Sequence, residues 1–448
     1  MGHANNTLHL CLLLTFLSYL ACQQVEDPAP PNILLIISDD QGWSDFGFMG
    51  HEAIQTPHLD QLAEQSLCFT RGYATAPLCS PSLASIITGL YAHQHGITGN
   101  DPAFEFEGQR YAQEWRLARK PLFDQLKDQF YQSKLLTQYL AEAGYRSLQT
   151  GKWWLGSGTE GHFDEGMTHG DVIREGRHGD VGLDIGRTGL EPIYSFMQES
   201  HELDQPFFIW YAPFLPHTPH NPPDSLLKKY LTQTESEPMA KYWAMCEWFD
   251  QTCGALINHL KMEGLDKETL VIFTTDNGWI QQRDKNGYAE RSKRSPYEMG
   301  IRTPFMLHWP GSITAQFDTT TLVSNIDIVP TILELCNLDA SSPLPGINLL
   351  SAEKRHTRKT IFSEAFAHDI ADINQPTKSL QYRIALEYPW KLIVPDTTNV
   401  PNKRAELFNI FDDPDEKEDL STQHPSLVAE LSAKLDDWWM PAHLGKVR

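Results

Sequence analysis

Apolar and polar positions fall into two alternating textures along this chain. Residues 33–38 (ILLIIS), 207–211 (FFIWY) and 270–275 (LVIFTT) are near-continuous apolar runs of strand length, as expected for strands buried on both faces. Residues 145–150 read as a fourth strand. Between the runs lie segments with helical spacing. One starts at Thr56-Pro57 and continues through Leu59, Leu62 and Ala63. Residues 135–143 stop at Gly144, a left-handed cap, and 240–262 stop at Gly264. Asp327 is placed to cap 328–338. This alternation predicts an α/β fold with a large, mostly parallel sheet flanked by helices. Past residue 345 the texture changes. Residues 382–394 read as a hairpin around Tyr388-Pro389, 406–411 as a strand and 426–439 as an amphipathic helix. The expected organisation is a main domain over 32–345 and a small antiparallel subdomain with one helix over 346–448.

The residues just past each strand carry the chemistry. The first strand stops at Asp39-Asp40 and the LVIFTT run at Asp276-Asn277-Gly278. FFIWY leads to His217-Thr218-Pro219-His220, and the fourth strand to Gly151-Lys152. Open α/β sheets bind ligands beyond the carboxyl ends of their strands. Carboxylates, a carboxamide, a lysine and a histidine are therefore expected at one sheet edge.

Charge and composition narrow the classes. The formal net charge of −22 and the lack of basic stripes argue against a nucleic-acid partner. A few placed cations can still dominate a pocket. Residues 8–20 are apolar but too short to span a bilayer comfortably, so residues 1–22 read as an export signal and 23–31 as a linker, with no transmembrane helix in the mature chain. Tyr19-Leu20-Ala21-Cys22 resembles an imperfect bacterial lipoprotein box, with lipid on Cys22; simple cleavage nearby is the other reading. The expected location is exported: periplasmic, secreted or lipid-anchored in a bacterial envelope. Of seven cysteines, two lie in the export segment. The odd remainder fits buried thiols better than a disulfide framework. Two stretches, 103–133 and 156–189, look like insertions that shape a site, the second a glycine-rich mobile loop. Its His162, His169 and His178 match no standard zinc spacing.

Residues 79–89, CSPSLASIITG, set a cysteine before an apolar helix-compatible run, with Ser80 as the expected cap and Pro81 in the first turn. Cys79 then sits at the positive end of a helix, which favours an anion or a deprotonated nucleophile.

This segment resembles the C-x-P-S-R signature of the formylglycine-dependent sulfatases. DDQGWSDFG, TPHLDQLA, GKWWLG, H-T-P, TTDNG, SPYEMGIRTP and LFNIFDDPDEKEDL resemble further sulfatase motifs in family order. The resemblance implies an alkaline-phosphatase-like fold with a small C-terminal subdomain. It implies that Asp39, Asp40, Asp276, Asn277 and the modified Cys79 hold a divalent cation. An all-oxygen set of this kind suits a hard ion, Ca2+ first and Mg2+ second, and disfavours zinc. Lys152 and Lys293 match the lysines that hold sulfate oxygens, and His217 the histidine beside the leaving-group oxygen. His220 either lines the pocket or has a structural role. Asp45, Asp60 and Arg302 also match motif letters but are read as supports of the fold, and His93 and His95 as packing residues. By family chemistry a formylglycine-generating enzyme oxidises Cys79 during maturation. One hydroxyl of the aldehyde hydrate attacks sulfur, and the other expels sulfate and regenerates the aldehyde. The implied substrate is a sulfated carbohydrate or other organic sulfate, with Trp153, Trp154, Trp210 and Trp279 available to stack on sugar or to pack.

Two positions depart from the pattern. Leu83 replaces the motif arginine and Trp154 the motif histidine. Each exchanges a polar partner of the nucleophile for an apolar one. Three readings are compatible with this: a sulfatase subgroup in which Leu83 and Trp154 pack as a unit, a binding protein with unmodified Cys79, or a phosphoester hydrolase of the same superfamily. Retention of Asp39, Asp40, Asp276, Asn277, Lys152, His217 and Lys293 favours a working anion-processing site.

Overall fold

Six long strands order the main sheet: β1 (Asn32–Ser38), β2 (Leu67–Tyr73), β3 (Arg146–Gly151), β4 (Phe207–Ala212), β5 (Thr269–Thr275) and β6 (Arg302–His308). They come from a computed structural model that describes residues 30–109, 112–176 and 179–441. The expected export signal and Cys22 lie outside the described residues. Across the sheet the long strands run β2-β6-β5-β1-β4-β3, with short strands completing a nine-stranded sheet. β1 is central and parallel to both neighbours, pairing Ser38 with Thr275 of β5 and Ile36 with Tyr211 of β4. β3 runs parallel to β4, with Gly151 opposite Ala212. Only β6 runs against its two long neighbours. The carboxyl ends of β1, β3, β4 and β5 therefore share one edge.

The period-two geometry of a strand divides the core. Ile33, Leu35 and Ile37 point to one face, where helix α1 (Cys79–Thr88) contributes Leu83, Ile86 and Ile87. Leu34 and Ile36 point to the other, against Met245, Phe249 and Cys253 of the long helix α2 (Glu237–Met262). Each fully buried aliphatic side chain stabilises by about 1.5–3 kcal/mol. A one-residue slip of β1 would move these side chains to the opposite face, so the register that carries Asp39 and Asp40 is firmly set.

Strands Ile361–Phe366, Leu380–Glu387, Trp390–Pro395 and Glu406–Asn409 form the small antiparallel sheet, covered by helix Pro425–Trp438. Contacts gather residues 32 onward into one unit. Tyr73 and Ile301 share a cluster with Ile384 and Ile393 of the small sheet, and Asp369–Ile370 pairs with Asp101–Pro102.

Two local expectations need correction. α1 begins two residues earlier than the sequence suggested, with extended Leu78 as its N-cap, so Ser80 lies inside the first turn and caps nothing. The backbone N–H of Ser80 donates instead to Asn100 Oδ1 at 3.1 Å. Within the 103–133 stretch, residues Gln113–Phe130 form a helix despite Pro121. Its buried Trp115, Arg119, Phe123, Leu126 and Phe130 follow helical spacing, which the charged residues between them obscure. The 156–189 segment carries a two-residue strand and two 3₁₀ turns, Val172–Arg174 and Asp180–Asp184.

Candidate active site

The shared strand edge assembles a buried polar cluster. Leaving β1, Asp40 adopts a left-handed φ of 61°, a conformation most non-glycine residues avoid. Its N–H donates to Asp276 Oδ1 at 3.0 Å, just past the end of β5, and Asn277 N–H donates to the same oxygen at 2.7 Å. Asn277 Nδ2 donates to Asp40 Oδ1 at 2.8 Å. These bonds tie the two strand ends together. Lys152 follows Gly151, whose φ is +76°; a β-carbon at Gly151 would lie 2.0 Å from the Ala212 carbonyl oxygen, so this turn requires glycine. Lys152 Nζ then donates to both oxygens of Asp39 at 2.9 Å.

Cys79, at the start of α1, lies with its Sγ 4.0 Å from Asp39 Oδ1 and 3.9 Å from Asp40 Oδ1. Lys293 spans the group, its Nζ 2.5 Å from Asp40 Oδ1 and 2.9 Å from Cys79 Sγ. His217 Nε2 is 3.3 Å from Asp40 Oδ2, and its Nδ1 is 2.6 Å from the Thr218 carbonyl oxygen. That carbonyl can only accept, so Nδ1 carries a proton and Nε2 is the nitrogen free to exchange one with the cleft. Asp40, Cys79, Lys152, His217 and Lys293 line a cleft of about 540 Å³.

The electrostatics are those of an ion site. Burial pushes the Asp40 carboxyl up, but Lys293, His217 and Lys152 outweigh it and hold Asp40 well below the usual carboxylate range. Burial, then Asp39, push Asp276 up. Burial would lower Lys152 and Lys293, but Asp39 and Asp40 respectively reverse this, so both stay charged. Burial raises the Cys79 thiol despite both lysines, which makes an unmodified thiol a poor source of thiolate. Burial likewise lowers His217 against the pull of Asp39 and Asp40.

The residues fit a hard divalent cation. Asp39, Asp40, Cys79 and His217 offer ligand atoms within 4.8 Å of one another. Asp276 Oδ2 and Asn277 Oδ1 are buried acceptors without a hydrogen-bond partner among the described residues. Such orphaned oxygens are costly unless something electropositive meets them. Three carboxylates against two lysines also leave room for added positive charge.

His220 stands apart from the other expected site residues. It is 6% exposed and packs against Tyr242 and the cleft-lining Trp279 without lining the cleft itself, with burial lowering it to about 4. Leu83 and Trp154 are both buried in the cluster beneath α1, with Trp154 5.7 Å from Phe130 and 4.8 Å from Trp153 between ring centroids. Trp153 and Trp210 are buried too and pack edge to face at 5.7 Å. Trp279 also lines the cleft. Asp45 accepts from Gly42 N–H and Tyr242 Oη, and Asp60 from Phe48 N–H. Arg302 lies over the Trp43 ring and donates to the Thr70 carbonyl, while His93 and His95 bond Glu364 and Ser85. Sequence reasoning missed Asn100, Phe214 and His368 in the cleft wall. Phe214 stacks on His217 at 4.1 Å and immediately precedes the Leu215–Pro216 pair of the same loop. His368 comes from the C-terminal third, and no local pattern marks it.

Cleft, sheet order and signature helix together define a hydrolase of the alkaline-phosphatase-like fold. The Sulfatase family model matches residues 31–338, and the model described as N-sulphoglucosamine sulphohydrolase, C-terminal matches 287–439. This chain belongs to the sulfatase family and is a sulfuric ester hydrolase. It is 29% identical over 379 residues to N-acetylgalactosamine-6-sulfatase of Rattus norvegicus, covering 76% of this chain and 68% of that protein. It is 24% identical over 447 residues to the ulvan-active sulfatase of Formosa agariphila, covering 92% and 82%. The crystal structure of Ps i-CgsB has the same fold, with a TM-score of 0.72 at 23% identity over 91% of this chain and 92% of that one.

Proposed function

We propose that this enzyme releases sulfate from carbohydrate sulfate esters, with Asp39, Asp40, Asp276 and Asn277 holding a calcium ion beside a formylglycine made from Cys79. The observation that carries this is convergence. Groups from four strand ends, the start of α1 and the Lys293 loop meet around Cys79, and no single function but anion chemistry on a hard cation uses them all. The names of the relatives support a carbohydrate substrate, one being an N-acetylgalactosamine-6-sulfatase and another ulvan-active. Ps i-CgsB has also been solved in complex with k-i-k-neocarrahexaose.

In this reading the formylglycine supplies an oxygen nucleophile and the cation lowers its pKa. The chain's own groups do the rest. Lys293, within 2.9 Å of Cys79 Sγ, stabilises negative charge at that position. Lys152 and Lys293 exchange their carboxylate contacts for the oxygens of the transferring group, a placement that lowers the barrier because charge builds there in the transition state. In its imidazolium form, which Asp39 and Asp40 favour, His217 gives the Nε2 proton to the departing sugar oxygen. Apolar packing by Leu83 and Trp154 holds α1 in place of polar partners. We further assign export to residues 1–22, the catalytic body to 32–345 and the smaller subdomain to 346–448.

Mass spectrometry of the peptide carrying Cys79, from protein matured in an organism with the modifying enzyme, tests the nucleophile. The expected result is the aldehyde or its hydrate, with sulfate released from sugar sulfates faster than phosphate from matched esters. An intact thiol in an active preparation, or faster phosphate release, overturns the proposal.

A further inference from the structure

We propose that Arg294, on the rim of the cleft, forms a second anion subsite, so that the preferred substrate carries another carboxylate or sulfate near the scissile sulfate. The inference deepens the carbohydrate-sulfatase reading and rests on it. In a chain of formal charge −22, the cleft lining holds one carboxylate, Asp40, against the cations Lys152, Lys293 and Arg294. Each lysine is neutralised by an aspartate, Lys152 by Asp39 and Lys293 by Asp40. Arg294 is the lining cation that faces no acid among the described residues. Among the described residues its side chain makes one hydrogen bond, from Nη1 to Tyr288 Oη at 3.2 Å.

Backbone geometry points the same way. Arg294 has a φ of +69°, a left-handed conformation where glycine is the unstrained choice. Its N–H donates to the Pro77 carbonyl oxygen at 2.7 Å, two residues before Cys79. The backbone at Arg294 is thus tied to the loop that delivers the nucleophilic position, and Tyr288 Oη holds the guanidinium. On the cleft's C-terminal wall, His368 is held by its carbonyl oxygen, which accepts from Asn100 N–H at 2.9 Å. Its imidazole Nδ1 is 2.7 Å from Asp369 Oδ1, so an acid already faces His368. Arg294 is left as the uncompensated positive group. A cleft of about 540 Å³ admits more than one sulfate. A guanidinium suits bidentate recognition of either a carboxylate or a sulfate.

The test compares three ligands: a hexosamine 6-sulfate with one anionic group, the same sugar with a second sulfate, and a uronyl–hexosamine 6-sulfate disaccharide. Equilibrium binding is measured by calorimetry at low salt on Cys79→Ala protein, which needs no turnover. If no ester of any kind is hydrolysed by the parent enzyme, the sulfatase reading fails, while the binding comparison still reads the subsite. The expected result is at least about tenfold tighter binding of one or both two-anion ligands, and which of them gains identifies the group. Arg294→Gly, which relieves the positive φ and so keeps the fold, should erase that preference, and Arg294→Lys should retain part of it. Equal binding of all three ligands, or an Arg294→Gly variant that keeps the preference, overturns the proposal.

Discussion

Replacing Lys293 by methionine keeps all but one atom of the side chain's length and removes its charge. The side chain is 8% exposed and its ammonium touches both Asp40 Oδ1 at 2.5 Å and Cys79 Sγ at 2.9 Å. Removing a preorganised donor aimed at developing negative charge costs about 3–4 kcal/mol in the transition state, or 10²–10³ in kcat/KM. The effect on the cation has the opposite sign. Asp39, Asp40 and Asp276 face two lysines; with one lysine gone the local formal charge drops by one, and a divalent ion should bind about tenfold more tightly or better. Lys293→Met should therefore unfold at lower temperature in chelator than the parent, and gain more on addition of millimolar calcium. Sulfate release from a sugar sulfate, with thermal unfolding in chelator and in calcium, reads both arms. A variant with kcat/KM within threefold of the parent, or a calcium response no larger than the parent's, would refute the reasoning.

Two further predictions concern buried charge away from the cleft. Lys391 of the small sheet is fully buried between Glu298 and Glu416, at 3.1 and 2.8 Å; Lys391→Met strands two acids and should cost about 3–5 kcal/mol in denaturant unfolding, whereas a loss below about 1 kcal/mol would show that the pair relaxes into solvent. Asp250 accepts the Leu59 and His58 N–H groups at 2.8 and 3.3 Å, and burial pushes it up to about 7 despite those bonds. The folded state then holds a proton that the unfolded chain, with a value of about 3.9, releases. Stability should therefore rise as pH falls from about 7 towards 4, approaching about 1.4 kcal/mol per pH unit, and Asp250→Asn should lose that slope. Parallel pH profiles for parent and variant would contradict the assignment.

Much of the site was legible because strand ends are local. Asp39-Asp40 and Asp276-Asn277 each come directly after a run whose apolar character announces its own strand, Lys152 follows the more polar 145–150 strand and Gly151, and α/β topology sends such ends to one edge. Lys293 was harder to read, since Lys285, Arg291 and Arg294 surround it in sequence. Only its contacts with Asp40 and Cys79 separate it from a surface lysine. Ser80 shows where local reasoning errs: a good capping residue lost its place because helix α1, buried on every side, is positioned by packing rather than by its cap.

Alone, the chain's pattern determined which segments are strands and which residues end them, while a cation site beside Cys79 was what the resemblance to sulfatases implied. Periodicity and strand termination depend on neighbours a few residues away, so they are written locally. The tertiary structure decided what meets what. The strand order put β5 and β4 on either side of β1, brought His217 and Lys293 to the same carboxylate, withdrew His220 into the core, and set His368 and Arg294 at the rim. Those outcomes depend on contacts between residues hundreds of positions apart, which no local spacing encodes.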